Sequence, residues 1–382
     1  MLRHEIKKIL NIPDAEIEQP ENKRLGDYST NVALKLAKKE DRKPMGIAQE
    51  IKLQAEKEDT GFFEKVEVAP PGFVNFFLSK EYLQKQVGVI LKQKEKFGNL
   101  KIGNRQKVNV EFISANPTGP LHIGNGRGGF CGDVLANVLG KAGYKAFREY
   151  YVNDMGRQIL FLENSLSGRE PSYKNQYIDE LKAKGEKNVK KAVEYIVERI
   201  KETTERMGIG FDNWFFESDL YKKKETDKVL DFLKKNDLTY EKEEALWFKS
   251  AKFGDDKNRV LIKRDDKETY FLSDIAYMKK KFNRGFNYLI IFLGAEHYGY
   301  IGRLKAAAKA LGYNPERVMP IIMQLVKIME EGKGVRMSKR GGIFVTLDEL
   351  LDEVGKDVVR FFFLTRSSGS HLLFDLGLAK EQ

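Results

Sequence analysis

Residues 114–129 read SANPTGPLHIGNGRGG and follow VNVEFI at residues 108–113. Val108, Val110 and Phe112 alternate on one face of the first run, the period of a half-buried strand. Val134, Leu135, Val138, Leu139 and Ala142 then recur at helical spacing. The order is strand, glycine-rich turn, helix, which is where a parallel sheet receives phosphates. A helix starting near Gly126 directs its free N–H groups and the positive end of its dipole back at the turn. Gly124, Gly126, Gly128 and Gly129 carry no Cβ to hold a nucleotide off the backbone, and His122 stands inside the turn.

Working outward, the 382 residues are 41% hydrophobic, enough for two or more domains with sizeable cores. Lys and Arg outnumber Asp and Glu by 67 to 56, and the net charge of +11 favours a polyanionic partner. The single cysteine, Cys131, excludes an internal disulfide and a cysteine-based zinc site, so a reducing cytoplasm is the expected compartment. The opening MLRHEIKKIL is charged throughout, no stretch approaches a membrane span, and no repeat is present.

Helical patterns are expected around residues 3–10, 29–39 and 46–57, and residues 66–79 read as two strands broken by Pro70, Pro71 and Gly72. The lysine-rich stretch 94–107 reads as a linker. The second sheet strand is expected at 146–152, and further strands of the same sheet at 259–264 and 288–293. Between them, about residues 160–256 read as a charged helical insertion, with Val189, Ala192, Val193, Ile196, Val197 and Ile200 on one apolar face. Its lysine and glutamate runs are expected to be solvated.

A second element lies far downstream: Val335, Arg336, Met337, Ser338, Lys339, Arg340, Gly341 and Gly342. HIGN at 122–125 resembles the HIGH motif of class I aminoacyl-tRNA synthetases, and RMSKR at 336–340 resembles their KMSKS loop. GDYSTNVALKLAKK at 26–39 and APPGFVNFFLS at 69–79 resemble the N-terminal domain of arginyl-tRNA synthetases, which narrows the class to one member. The resemblance covers essentially the whole chain. It implies an α/β fold: a Rossmann-type parallel-sheet catalytic domain with a helical insertion, over residues 101–345, preceded by a small α/β tRNA-contacting domain over 1–100. A helical region over 346–382 follows, and 367–382 resembles the lead into the family's anticodon-binding domain, which is expected to be absent.

The implied activity is arginine–tRNA ligation, in which ATP activates L-arginine to an adenylate that is passed to the terminal adenosine of tRNA(Arg). Such chemistry needs positioning and charge stabilisation but no enzyme nucleophile, and no Ser-His-Asp arrangement is evident. By resemblance His122 and Lys339 are catalytic, with Gly124, Asn125, Met337 and Ser338 completing the ATP site. Many arginine enzymes lack the second KMSK lysine and carry one before HIGH; here Lys339 is retained and Thr118, Gly119 and Pro120 hold no lysine. Asn125 departs from HIGH: its amide offers hydrogen bonds but no imidazolium charge.

A planar, always charged guanidinium calls for carboxylates, and the resemblance assigns Glu111 and Asp274 to it. Tyr270 would close the pocket, Asn116 would hold the α-amino and carboxylate groups, and His297 in GAEHYGYIGR would line it. Mg2+ is expected with ATP, held by phosphate oxygens and water. The expected partners are tRNA(Arg), L-arginine and ATP, with no membrane, and a monomer is expected. Two alternatives remain open at this point: a truncated non-catalytic tRNA-binding paralogue, or another class I adenylate-forming ligase.

Overall fold

The computed structural model describes residues 2–59, 61–330, 333–335 and 346–381. Met337, Ser338 and Lys339, with the rest of RMSKR, lie outside the described residues. The chain forms two compact units, Met1–Asn99 and Leu100–Gln382.

In the first unit, helix α1 (Leu2–Leu10) precedes strand β1 (Tyr28–Thr30), helices α2 (Val32–Glu40) and α3 (Pro44–Glu58), strands β2 (Phe63–Ala69) and β3 (Phe73–Leu78), and helix α4 (Lys80–Gln93). The strands form an antiparallel sheet in the order β1-β3-β2. Ile6, Leu10, Ala33, Ile47, Ile51, Val74 and Phe76 bury its core. Ser29 and Thr30, expected in a helix, instead pair with Asn75 and Val74 in the sheet. Thr30 also donates through Oγ1 to the Glu16 carbonyl at 2.6 Å, so the helix begins only after Asn31.

The second unit opens with residues 100–106 held against a corner, not free as a linker: Leu100 and Gly103 donate to the carbonyls of Lys141 and Ala142. Then come β4 (Lys107–Glu111), α5 (Ile123–Lys141), β5 (Lys145–Val152), α6 (Arg157–Ser167), α7 (Gln176–Ala183), α8 (Val189–Arg206) and β6 (Asn213–Phe216). Next are α9 (Ser218–Lys222), α10 (Glu225–Lys235), β7 (Thr239–Lys242), β8 (Ala245–Phe248), β9 (Arg259–Ile262), α11 (Tyr270–Asn283), β10 (Tyr288–Gly294), α12 (Ile301–Ala310) and β11 (Val318–Met323). The unit closes with β12 (Val326–Glu330), β13 (Lys333–Val335), α13 (Leu347–Val354), α14 (Lys356–Leu364), β14 (Leu372–Asp375) and α15 (Leu376–Lys380).

The central sheet is all parallel, in the order β11-β10-β4-β5-β6. Chain order reverses between β4 and β10, and in such a sheet the crevice beyond the strand ends at that reversal receives ligands. Three of the sequence expectations are corrected here. β9 pairs with β8 in a separate antiparallel sheet and not with the central one. β6, within the insertion read as helical, supplies the central sheet's outer strand beside β5. The tail is not wholly helical either, since β14 pairs in parallel with β12.

Helices cover both faces of the sheet. Val108, Val110, Phe112 and Phe130 share one apolar cluster with Ile196, Leu347 and Phe363. Leu289 and Val318 share another with Phe271, Ile275 and Leu304. Val108 and Val110 therefore alternate with Asn109 and Glu111, whose side chains face α11. Among the described residues no helix is long and apolar enough to cross a membrane.

Candidate active site

β4 ends at Glu111, and the chain leaves it through two residues with left-handed backbone, Ile113 (φ 65°) and Ser114 (φ 42°). That conformation is costly for a β-branched residue and is kept only where surroundings enforce it. Here Ser114 Oγ accepts from the Tyr151 N–H at 3.1 Å, fixing the turn to β5. Asn116 lies half-buried in the loop that follows.

α5 begins at Ile123, three residues before the expected start, with His122 as its N-cap. The Asn125 N–H donates to His122 Nδ1 at 3.4 Å, and the His122 N–H donates to Asn125 Oδ1 at 3.0 Å. This reciprocal cap satisfies two otherwise free backbone donors. It gives Asn125 a definite task, one an amide carbonyl performs well. With Nδ1 accepting, the proton of a neutral imidazole sits on Nε2, free to donate outward. Desolvation pushes the His122 pKa below its ordinary value, against the opposing pull of Glu296, and so favours that neutral form.

Gly124 is exposed beside the His122 ring. Gly126 and Gly129 serve a different purpose from the one the sequence suggested. A Cβ on Gly126 would lie 2.6 Å from Leu347 Cδ1, and one on Gly129 would lie 2.8 Å from Met207 Cε. Both are buried and admit neighbouring side chains, not a ligand.

The turn also meets the chain that returns from the RMSKR segment. His122 and Thr346 form an antiparallel bridge, and the Leu347 N–H donates to the Leu121 carbonyl at 2.9 Å. Thr346 is itself the N-cap of α13, in a capping box with Glu349. On the other side the segment departs from β13, which pairs with β12.

A cavity of about 80 Å³ opens under the strand ends, lined by Glu111 and Asp274 among others. Asp274 lies one turn after Tyr270, the first residue of α11, so both share a helix face. Burial pushes the Asp274 carboxyl up to about 7, Glu217 and Glu111 add to the rise, and the Tyr300 hydroxyl and Lys281 oppose it. The Tyr300 hydroxyl donates to Asp274 Oδ2. Glu111 pairs through Oε2 with the Lys281 ammonium.

Of the expected amino-acid residues, Glu111 and Asp274 thus meet at one cavity. Tyr270 is half exposed and touches the Gly156 turn instead. His297 is exposed in the 3-10 turn after β10, 3.6 Å from the Glu296 carboxylate, with its ring 6.2 Å from that of Tyr300. Glu217, Tyr151, Tyr300 and Lys281 went unread in the sequence. Glu217 is 2% exposed, and burial raises its carboxyl despite bonds from Ser273 and Tyr151. The available signal was position alone: Tyr151 and Glu217 stand at or just beyond the ends of β5 and β6. Among the described residues no cluster of three or more His, Cys, Asp or Glu could hold a metal ion.

Comparison with known proteins identifies the family. A family model described as the arginyl tRNA synthetase N terminal domain matches residues 1–78. A second, the catalytic domain of tRNA synthetases class I (R), matches residues 86–183 and 171–361. The chain is 42% identical to the arginine–tRNA ligase of Carboxydothermus hydrogenoformans over 96% of its own length and 71% of that protein's. It is 43% identical to that of Syntrophotalea carbinolica, over 97% of this chain and 72% of the other. The solved arginyl-tRNA synthetase of Thermus thermophilus superposes with a TM-score of 0.74, covering 100% of this chain and 78% of that one at 19% identity, a likeness of fold.

Proposed function

The chain belongs to the arginyl-tRNA synthetase family of class I aminoacyl-tRNA synthetases, and on that premise we propose that it joins L-arginine to tRNA(Arg) at the expense of ATP. The observation that carries the reading is the convergence of Glu111 and Asp274, from a strand end and a helix, on one small cavity. Two carboxylates there match the fork of a guanidinium. Lysine, a point charge on a longer stem, would not engage both in the same way.

In the first step a carboxylate oxygen of arginine attacks the α-phosphorus of ATP. The bond to the bridging oxygen breaks and pyrophosphate leaves with the electron pair. In the second, a ribose hydroxyl of the terminal adenosine attacks the acyl carbon, and AMP departs. His122 Nε2–H donates to a phosphate oxygen as charge gathers there, from a helix N-terminus that favours anions. Lys339 pairs with the departing pyrophosphate, with Met337 and Ser338 against the nucleotide. The bridge between His122 and Thr346 supports bringing that segment to the turn. Asn116 holds the arginine backbone, and Tyr270 and His297 flank the pocket. Gly124 and Asn125 border the nucleotide.

Mg2+ arrives with ATP, carried by phosphate oxygens and water. The 1–100 module contacts the tRNA, helped by the chain's excess of basic residues. We place the enzyme in the cytoplasm and read it as a monomer. The test is charging of tRNA(Arg) with labelled arginine in the presence of ATP and Mg2+. Incorporation that needs all three supports the assignment; binding of tRNA without charging would overturn it in favour of a non-catalytic paralogue.

A further inference from the structure

α11 and its C-cap Arg284 lay Asp274, Tyr277, Lys281 and Arg284 along one stripe, at intervals of three, four and three residues. Beneath the stripe, Glu111 and Glu149 are register partners on adjacent parallel strands, so their side chains leave the same face of the sheet. Two acids therefore lie side by side under two cations of one helix.

Glu149, fully buried, fills its hydrogen bonds without Lys281, although against desolvation the Lys281 charge, with that of Arg284, still helps hold its carboxyl below the usual value. Its Oε2 accepts from Arg284 Nη1 at 2.6 Å and Asn213 Nδ2 at 2.8 Å; its Oε1 accepts from the Tyr277 hydroxyl at 2.7 Å and Asn109 Nδ2 at 3.1 Å. Lys281 is left for Glu111. Its side chain is 1% exposed, its ammonium pairs with Glu111 Oε2, and the Tyr277 ring lies 4.1 Å from it. The other oxygen of Glu111, Oε1, has Ser114 Oγ at 3.5 Å, too long for a firm bond. Burying an ammonium is costly, and this one lines the cavity that is to receive the substrate's own cation. A cation in that place works against binding unless it prepares the site.

We propose that Lys281 is a positioning residue for arginine recognition: it clamps Oε2 of Glu111 so that Oε1 remains as the acceptor for the guanidinium. The inference rests on the function proposed above. Lys281 also moderates the charge of the cavity. The groups acting on Asp274 are Tyr300 from the turn before α12, Glu217 beyond β6, Glu111 on β4, Tyr151 on β5 and Lys281 on its own helix; among these Lys281 is the cation. Its removal leaves the carboxylates to repel one another, and Asp274 then holds its proton to higher pH.

The experiment compares the unmutated chain with Lys281→Met and Lys281→Arg in tRNA charging, at pH 7.0 and 8.5. KM for arginine, KM for ATP and kcat are measured separately. Lys281→Met should raise the arginine KM about 10- to 100-fold at pH 7.0, the range for losing a hydrogen bond to a charged group, and less at pH 8.5. The ATP KM should stay within about twofold, because the nucleotide turn is untouched, and Lys281→Arg should restore most of the arginine KM. Where Lys281→Met fails to fold, Lys281→Gln carries the test in weaker form: it loses the charge and, one bond shorter, the firm contact with Oε2, so the arginine KM should still rise while the ATP KM holds. An arginine KM unchanged at both pH values overturns the inference, as does a loss of kcat that merely follows a lower melting temperature. Failure of the unmutated chain to charge arginine overturns the functional reading instead, and the inference with it.

Discussion

The turn at His122 and the pocket under α11 are neighbours at the ends of the same parallel sheet, yet they are built on opposite principles. The turn is local: four consecutive residues and a helix N-terminus supply its geometry through backbone groups, and Asn125 closes the cap on His122. The pocket is assembled from β4, α11, and the turn before α12, with Glu217 and Tyr151 bearing on it from beyond β6 and from β5. Its chemistry lies in buried, mutually dependent charges. Apart from His122, which desolvation keeps neutral, the turn's backbone donors do not titrate; the buried charge cluster does. Under the proposed function the difference also separates two ligands, phosphate at the turn and guanidinium in the pocket.

The largest expected effect breaks the pocket alone. Asp274→Asn should cut kcat/KM for arginine by about 10³-fold, the scale for truncating one partner of a buried charge pair, while the ATP KM holds. The same variant should be more stable than the unmutated chain at pH 8. Burial raises this carboxyl from an ordinary 3.8 to about 7, so between those values the folded protein holds a proton that the unfolded chain has released. Stability from this group accordingly falls as pH rises through that window, and the amide is spared the cost. Urea titrations of both proteins at pH 5 and pH 8 check the sign: the gap should widen at pH 8.

A pH series sharpens the contrast next. The arginine KM should fall as pH rises towards about 7 and then level, since arginine stays cationic throughout and only the ionised carboxyl attracts it. Below that point each pH unit should cost up to about tenfold. The ATP KM measured across the same series should change less.

Smaller effects belong to the turn. Gly126→Ala should destabilise the chain by about 1–2 kcal/mol, the lower part of the overpacking range, because the Leu347 side chain can yield in part. Its denaturation midpoint should drop, and since Leu347 follows the Thr346 bridge, its ATP KM should rise before its arginine KM. Asn125→Ala should remove half of the capping box for about 0.5 kcal/mol, the low end of capping effects, with a matching shift in melting temperature.

The same contrast explains what could be read from the sequence. The turn was legible because its strand, glycines and helix are contiguous and each has its own period. Which glycine serves what purpose was not, since Leu347 and Phe363 lie more than two hundred residues away from Gly126. Asp274 and Glu111 were singled out by resemblance, but the buried groups around them were hidden by ordinary defaults. Lys281 ends a run of three lysines, which by itself marks nothing but a solvated helix face, and Asn109 lies on the polar side of a strand read as half-buried. Instead α11 covers that side, and polar groups on helix and strand satisfy one another. β6 escaped because four residues within a charged insertion carry too little period, and β9 because alternation shows a strand without showing its sheet. The RMSKR segment lies outside the described residues, and its flanks alone tie it to the turn.

The central claim is that the guanidinium of arginine is received by Asp274 and Glu111, and proton release on binding tests it most directly. Arginine titrated calorimetrically into the tRNA-bound protein, in buffers of different ionisation enthalpy, should release about half a proton at pH 7, where Asp274 is half protonated before binding. The release should vanish near pH 9 and in Asp274→Asn. Binding of arginine with no proton release at pH 7, or a release undiminished in Asp274→Asn, would contradict the account.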